Sequence, residues 1–311
     1  MATTEAPLAV TAAAAAVFNR PARSLWADTW FHFRRHRLAM AGVIILTLIV
    51  LGVIVGPLLW TVPIDVYDFA ERMKGPSFAH PLGTDDNGRD LLARIIFGGK
   101  ISLAVGVAAV ALAISLGTLV GSLAGYFGRL DNPLMRVTDL FLSLPVLPFL
   151  LVITFLFRQA IESSLGLELG AFVVIVTVIA VLTWMPVARL VRASFLSLKQ
   201  KEFVEAARAV GDPDVRIIVR HILPNVLSPV LVAATIGVGG AIITESTLSF
   251  LGLGFPPDFP TWGRVLFEAK DDLDLAPHWA LFPGLAIFLT VLSINFIGDG
   301  LRDALDPRRV S

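Results

Sequence analysis

Cysteine is absent from the 311 residues, which excludes disulfides, thiolate metal centres and cysteine nucleophiles. Charge is scarce as well. Asp, Glu, Lys and Arg together make up 16% of the chain, against roughly 25% in soluble domains. Basic and acidic residues are equal in number, 25 of each, so no electrostatic footprint points to nucleic acid. The five histidines (His32, His36, His80, His221, His278) are scattered and form no His-Glu-x-x-His pattern, which leaves no signature of a metalloenzyme. The N-terminal stretch MATTEAPLAVTAAAAAVFNRPARS has an apolar patch with no basic region ahead of it, a poor signal peptide. Its low complexity predicts a tail that is partly disordered over 1–37.

Two stretches resemble ligand loops and fail on inspection. In HPLGTDDNGRD, setting Gly88 on the invariant glycine of a calcium loop puts Gly83 at the first ligand position and Arg94 at the bidentate acid. A tight turn at Asn87-Gly88 is the better reading. FGGKIS contains a Gly-Lys pair, but Arg94 stands where a phosphate loop needs its first glycine and Ile101 where it needs Ser or Thr. The chain is therefore not expected to hydrolyse ATP, and no catalytic residue or metal ligand is assigned.

What the sequence has in abundance is apolar length. Hydrophobic residues make up 56% of the chain, with a mean hydropathy of +0.78. A helix needs about 20 apolar residues to cross a bilayer. Six runs qualify, at 38–60, 101–126, 137–157, 171–187, 226–250 and 279–297. The fold class is therefore all-α, a polytopic membrane protein with a membrane domain over 38–297 and a C-terminal tail over 298–311. In the second run Gly117, Gly121 and Gly125 recur every four residues, a stripe for close helix approach. Pro145 and Pro148 are expected to kink the third run, and Pro186 to end the fourth.

The longest polar interruption is KEFVEAARAVGDPDVRIIVRHILPN at 201–225, within a connection spanning 188–226. Phe203, Ala206, Ala207 and Val210 lie at i, i+3, i+4, i+7 on one helix face. Gly211 stops that helix, and Asp212 and Pro213 are expected to restart the chain as N-cap and first helical residue. Val215, Ile218, Val219 and Ile222 repeat the spacing, and Pro224 is expected to end the second helix. Helices this short are not stable alone. A lipid surface and a soluble protein partner both fit. Of the 25 Lys and Arg residues, 17 fall on the side holding both termini and this connection, and 8 on the other. The positive-inside rule places the larger count in the cytoplasm, where a soluble partner can dock.

At this point the sequence resembles a known family. Glu205-Ala206-Ala207, then Gly211, then Leu223-Pro224 resembles the EAA signature of ABC-importer permeases. His221 stands where the general pattern has isoleucine, a departure similar to the dipeptide/oligopeptide/nickel branch. RRHRLAMAGVIIL, HPLGTDDNGRDLLARIIFGGKISL, ESTLSFLGLGFPPDFPTWG and GDGLRDALDPR resemble the same branch, in particular its C-type permease subunit, over about residues 25 to 309. The resemblance implies a type I importer permease that binds no cofactor. ATP and Mg would be used by two separate cytoplasmic ATPase subunits. It further implies pairing with a homologous B-type permease, delivery of substrate by an extracytoplasmic binding protein, and a prokaryotic inner membrane with both termini cytoplasmic. The implied cargo is a di- or oligopeptide, with nickel chelates or glutathione as relatives. An ATP-independent secondary transporter is the alternative from another class. The residues implied to couple to the ATPase are Phe203, Glu205, Ala206, Ala207, Arg208, Gly211, Asp212, His221, Leu223 and Pro224. The plain alternative for Glu205 is a surface carboxylate paired with Arg208 at i+3.

Intramembrane polar residues complete the candidates. Glu245, with Ser246 and Ser249, lies toward the outer end of the fifth run. An acid there is expensive and functional by default. It either lines the translocation path or a gate, or forms a salt bridge inside the bundle. Asn295 ends the sixth run and Asp139 starts the third, both expected near the inner interface.

Overall fold

The computed structural model describes residues 25–305, so the expected tails over 1–37 and 298–311 lie in part outside the described residues; their described parts are helical, over Leu25–Arg35 and, at the C-terminal side, within Pro277–Leu305. The chain is all-helical. A short helix α1 (Leu25–Arg35) leads to α2 (Arg37–Leu59), α3 (Leu91–Tyr126), α4 (Gly128–Ser143), α5 (Val146–Leu165), α6 (Leu167–Val181), α7 (Met185–Leu198) and α8 (Glu202–Ala209). Then come α9 (Asp214–Phe250), α10 (Trp262–Ala269) and α11 (Pro277–Leu305). Five helices, α2, α3, α5, α9 and α11, are long and apolar enough to cross a membrane. The pair α6 and α7, bent by 45°, makes a sixth span if read as one. Large apolar side chains such as Leu48, Phe155 and Phe288 stand exposed on these helices, as expected where the solvent is hydrocarbon.

Several boundaries differ from the sequence expectation, each for a local reason. The second span begins at Leu91, because Asp90 caps it by accepting from the Ala93 N–H at 2.7 Å. The stretch between the second and third runs is largely helix α4. The third run does not kink but breaks, because Pro145 occupies the N-cap of α5 and Pro148 falls in its first turn, where a missing N–H costs nothing. Glu162 and Glu168 lie on helices, in the last turn of α5 and the first of α6, with Gly166 at φ 84 making the turn between them. Pro186 opens α7 rather than ending the fourth run.

The glycine stripe of α3 does what its spacing predicts. A Cβ on Gly117, Gly121 or Gly125 would lie 2.7, 2.4 and 2.5 Å from the nearest atoms of Trp184, Ala188 and Phe195, at and along α7. Only glycine lets these backbones approach so closely. The main core gathers Val105 and Ala109 of α3, Leu150 of α5, Val174, Ile175 and Ile179 of α6, and Ala241 and Leu248 of α9 as buried side chains. A second cluster joins Val191 and Phe195 of α7 to Val204, Ala207, Ile217, Ile222 and Val226. That cluster ties the polar connection to the bundle.

Candidate functional site

The connection at 201–225 is one helix, a sharp reversal and the start of the next span. α8 ends in a Schellman motif. The Asp212 N–H reaches the Ala207 carbonyl at 3.1 Å and the Gly211 N–H the Arg208 carbonyl at 3.0 Å, with Gly211 at φ 87. A Cβ on Gly211 would meet nothing within 4 Å, so glycine is required there by backbone conformation and not by space. The expected restart is shifted by one residue. Pro213 is the N-cap and Asp214 the first helical residue, because the Asp212 carboxylate is already taken. Asp212 accepts from Arg216 at 2.8 Å and meets the His221 Nε2 at 3.2 Å. The Arg216 hydrogen bond, aided by His221, holds the Asp212 carboxyl below the usual carboxylate range.

Pro224 does not end a second helix. The chain runs unbroken from Asp214 into α9 through a π-helical stretch, Ile217–Ile222, where the Leu223 N–H bonds to the Ile218 carbonyl. The wider turn falls just where the proline has no N–H to offer to the i−4 carbonyl. The second amphipathic helix is thus the root of the fifth span, and α8 packs against that root through Val204 and Ala207.

The faces of α8 also differ from the expected one. Val204 and Ala207 are buried against Ile217 and Ile222, whereas Phe203, Glu205, Ala206, Arg208 and Val210 are exposed. Beyond the reversal, Val215 and Val219 are exposed too, and Val210 stands 87% accessible. Leu223 and His221 are half-buried and Pro224 is exposed. The spacing of apolar residues marked a real face, but mostly the outward one. Among the described residues Glu205 forms no ion pair, and Arg208 lies over the Tyr126 ring at 5.7 Å instead. The Tyr126 hydroxyl donates to Asp214 at 2.5 Å, and the Lys199 ammonium to the Gly125 carbonyl at 2.9 Å. These polar bonds pin the connection to the end of α3.

At the opposite end of the bundle, Glu245 is fully buried on α9. Its partners are hydroxyls and not a cation. Ser249 donates to it at 2.7 Å, Ser102 of α3 at 3.3 Å and Ser246 at 3.4 Å. Thr261 bonds to Ser249, and the Trp262 N–H to Ser102, each at 3.3 Å. The salt bridge weighed for Glu245 is therefore not formed. Instead the acid is the hub that fastens the segment before α10 onto α3 and α9. Glycines close the same joint. A Cβ on Gly98 would lie 2.1 Å from the Pro260 carbonyl oxygen, and one on Gly263 2.5 Å from the Ser246 Cα. Asn295 does not join this cluster. It is exposed on α11, beside Gly239. Asp139, on α4, pairs with Arg189 of α7 at 2.5 Å.

Around this hub lies a polar cap that the sequence suggested only as a turn. The turn is there, with Gly88 at φ 75 and the Asp85 carboxylate accepting from the Asn87 and Arg89 N–H groups, both at 2.9 Å. Asp85 also pairs with Arg89 at 2.7 Å and Arg94 at 2.5 Å, and Arg94 and Arg89 reach Glu268 of α10 at 2.8 and 3.2 Å. Arg264 completes the set on Glu268 at 3.1 Å. Asp90, besides capping α3, takes hydrogen bonds from the Trp60 indole at 3.0 Å and from His80 at 2.8 Å. No short-range spacing links Asp85 to Glu268, so the sequence carried no local signal for this network.

An all-helical bundle with five helices long and apolar enough to cross a membrane, or six spans if the bent pair α6 and α7 is one, is the architecture of a multi-span transport permease. Residues 113–311 match the family described as the binding-protein-dependent transport system inner membrane component, and residues 24–77 match the N-terminal TM domain of oligopeptide transport permease C. The dipeptide transport system permease protein DppC of Alkalihalophilus pseudofirmus is 40% identical over 289 residues, covering 93% of this chain and 91% of that one. The glutathione transport system permease protein GsiD of Escherichia coli (strain CFT073) is 42% identical over 290 residues, covering 92% and 91%. In fold the chain is similar to the MetNI methionine ABC transporter in its inward-facing form, with a TM-score of 0.55 at 20% identity over 68% of this chain and 96% of that one. The chain belongs to the binding-protein-dependent transport system inner membrane component family, and it is an ABC-importer permease.

Proposed function

We propose that this chain is the C-type permease subunit of an importer for di- or oligopeptides or glutathione-like peptides, with α8 as its coupling helix. The relatives named for dipeptide and glutathione transport support the cargo class. The observation that carries the coupling role is the two-sidedness of α8. Its inner side, Val204 and Ala207, is packed into the root of the fifth span, while Phe203, Glu205, Ala206 and Val210 face outward with no partner in the chain. Closure of two ATPase subunits would press on that outer face. The π-helical root and the glycine reversal would then carry the displacement into α9. Arg208, Asp212, His221, Leu223 and Pro224 hold the joint in shape.

The excess of Lys and Arg on the side of this connection supports a cytoplasmic placement for it and for both termini of the membrane domain. Substrate would arrive on the capped side from a binding protein, and a homologous B-type permease would complete the pathway. The chain contributes no ATP chemistry in this scheme. ATP and Mg act on the partner ATPases.

The test is Glu205→Arg in the assembled transporter. Glu205 is exposed and unpaired, so the unfolding midpoint should stay within about 0.5 kcal/mol of the parent, as for ordinary surface changes. Uptake should fall at least tenfold while ATP hydrolysis continues. Uptake at the parental rate would overturn the coupling role. Uptake that persists without any co-expressed ATPase would overturn the importer reading as a whole.

A further inference from the structure

Close to the capped end, a cavity of about 600 Å³ opens between the N-terminal half of α3, the α5–α6 turn and the segment before α10. That volume is within the range of small-molecule pockets, roughly 300–1,000 Å³. Its walls are mostly apolar, with Ala104, Leu165, Phe172 and Phe255 among them. Two charges of opposite sign border it, Lys100 from α3 and Glu168 from α6. Both are exposed, and among the described residues neither side chain takes part in an ion pair or hydrogen bond.

This pattern is unlike the paired network of the capped end. There, Asp85, Arg89, Arg94, Arg264 and Glu268 satisfy one another, and Glu162, one turn before the α5–α6 reversal, is taken by Arg158 at 2.8 Å. Lys100 and Glu168 are left over at the rim of one hollow. Opposite charges that share an apolar pocket without pairing complement a solute that carries both charges itself.

We infer that the Lys100–Glu168 cavity is a binding site for a zwitterionic solute of dipeptide size, its carboxylate on the Lys100 ammonium, its ammonium on Glu168, and its side chains against Phe172 and Phe255. The site rests on the importer reading for its purpose, as a station for cargo at the mouth of the permease, but not for its chemistry. Lys100 also borders a second, larger cavity of about 830 Å³, which is almost wholly apolar. An anionic phospholipid would fit Lys100 and that groove, but it would leave Glu168 without a role. The zwitterion uses both charges.

The full chain in lipid nanodiscs tests this with leucyl-leucine, its C-terminal amide and its N-acetyl form, read by saturation-transfer NMR. The free dipeptide should bind about fivefold better than either blocked form, a ratio in keeping with single charge contacts at a partly exposed site. Lys100→Gln should abolish the preference over the amide and leave the preference over the N-acetyl form. Glu168→Gln should do the reverse. The exchange of both charges, Lys100→Glu with Glu168→Lys, should restore binding of the free dipeptide. Equal binding of all three peptides, preferences that survive both single variants, or loss of bound anionic phospholipid as the sole effect of Lys100→Gln would each overturn the site. ATP-dependent uptake by the assembled transporter, measured on the same variants, keeps the two readings apart. An importer whose dipeptide contacts ignore Lys100 and Glu168 loses this site only, and a site that binds dipeptide in a chain showing no ATP-linked uptake loses the importer reading only.

Discussion

The two polar ends of this bundle spend their charges in opposite ways. At the capped end, Asp85 and Arg94 are buried, Glu268 is half-buried, and the three are bound together, so carboxylates and guanidiniums join distant stretches of chain. At the other end, the α8 connection is held by apolar packing of Val204, Ala207, Ile217 and Ile222 with a few polar bonds at its edge, and Glu205 faces out. Burial makes the first kind of end rigid, because an ion deprived of its partner in a dry site is costly. Exposure leaves the second kind ready to meet a surface supplied by another molecule. In the proposed transport cycle the first is the firm mouth where solute arrives and the second the joint that accepts force.

The largest effect should come from breaking the firm end. Replacing Arg94 with Met removes both of its bridges and leaves the fully buried Asp85 with Arg89 as its remaining cationic partner. Removing one partner of a buried pair typically costs about 3–5 kcal/mol. Thermal unfolding of the purified chain in lipid nanodiscs should show this loss. By contrast, Arg216→Met at the connection, whose bridge to Asp212 is exposed, should shift stability by less than about 1 kcal/mol. Equal effects would erase the distinction between the two ends.

A middle-sized effect sharpens the comparison without touching charge. Gly88 and Gly211 both stand at positive φ, 75 and 87. A Cβ on Gly88 would also collide with the Asp68 carbonyl, whereas one on Gly211 would enter open space. Gly211→Ala therefore carries only the conformational strain, about 1–2 kcal/mol. Gly88→Ala adds a backbone clash that the cap cannot relieve without moving, and should be the more damaging by unfolding midpoint. If the two variants were equally stable, the cap would be looser than its packing implies.

How much of this was legible in the sequence follows from the range of each signal. Hydropathy and spacing act over one helix, so five or six apolar spans, the Gly117–Gly121–Gly125 stripe and the Gly211 stop could be read directly. The helix breaks at Pro145 and Pro186 were misplaced because a proline reads the same whether it ends one helix or opens the next. Apolar spacing found a face of α8 but could not tell inside from outside. Phe203 and Val210 look like core residues in sequence, and only the packing of Val204 and Ala207 shows that they are not. The Asp85–Arg94–Glu268 network and the hydroxyl shell of Glu245 join residues more than a hundred positions apart in places. Such contacts leave no periodic trace.

The smallest effect, and the most direct contrast of the two ends, is in proton binding. Burial, reinforced by the neighbouring Asp85 charge, pushes the Asp86 carboxyl up, while the Arg216 hydrogen bond pulls the Asp212 carboxyl down. The two contribute to stability with opposite sign. Asp86, raised in the folded chain, contributes stability that is fully present below its unfolded value near 3.9 and is lost as pH rises through its folded value. Asp212, lowered in the folded chain, contributes stability present above the unfolded value and lost as pH falls through its folded value. Unfolding midpoints measured across the acid range should therefore respond differently to two conservative variants. Relative to the parent, Asp86→Asn should be most favourable above the Asp86 folded value, where the parent carries an ionised carboxylate in a site that disfavours it. Asp212→Asn should be least favourable above the unfolded value, where the parent carboxylate holds Arg216 and His221. The two difference curves should thus diverge as pH rises through the carboxylate range and converge on acidification. Parallel curves would mean that the cap and the connection treat a carboxylate alike.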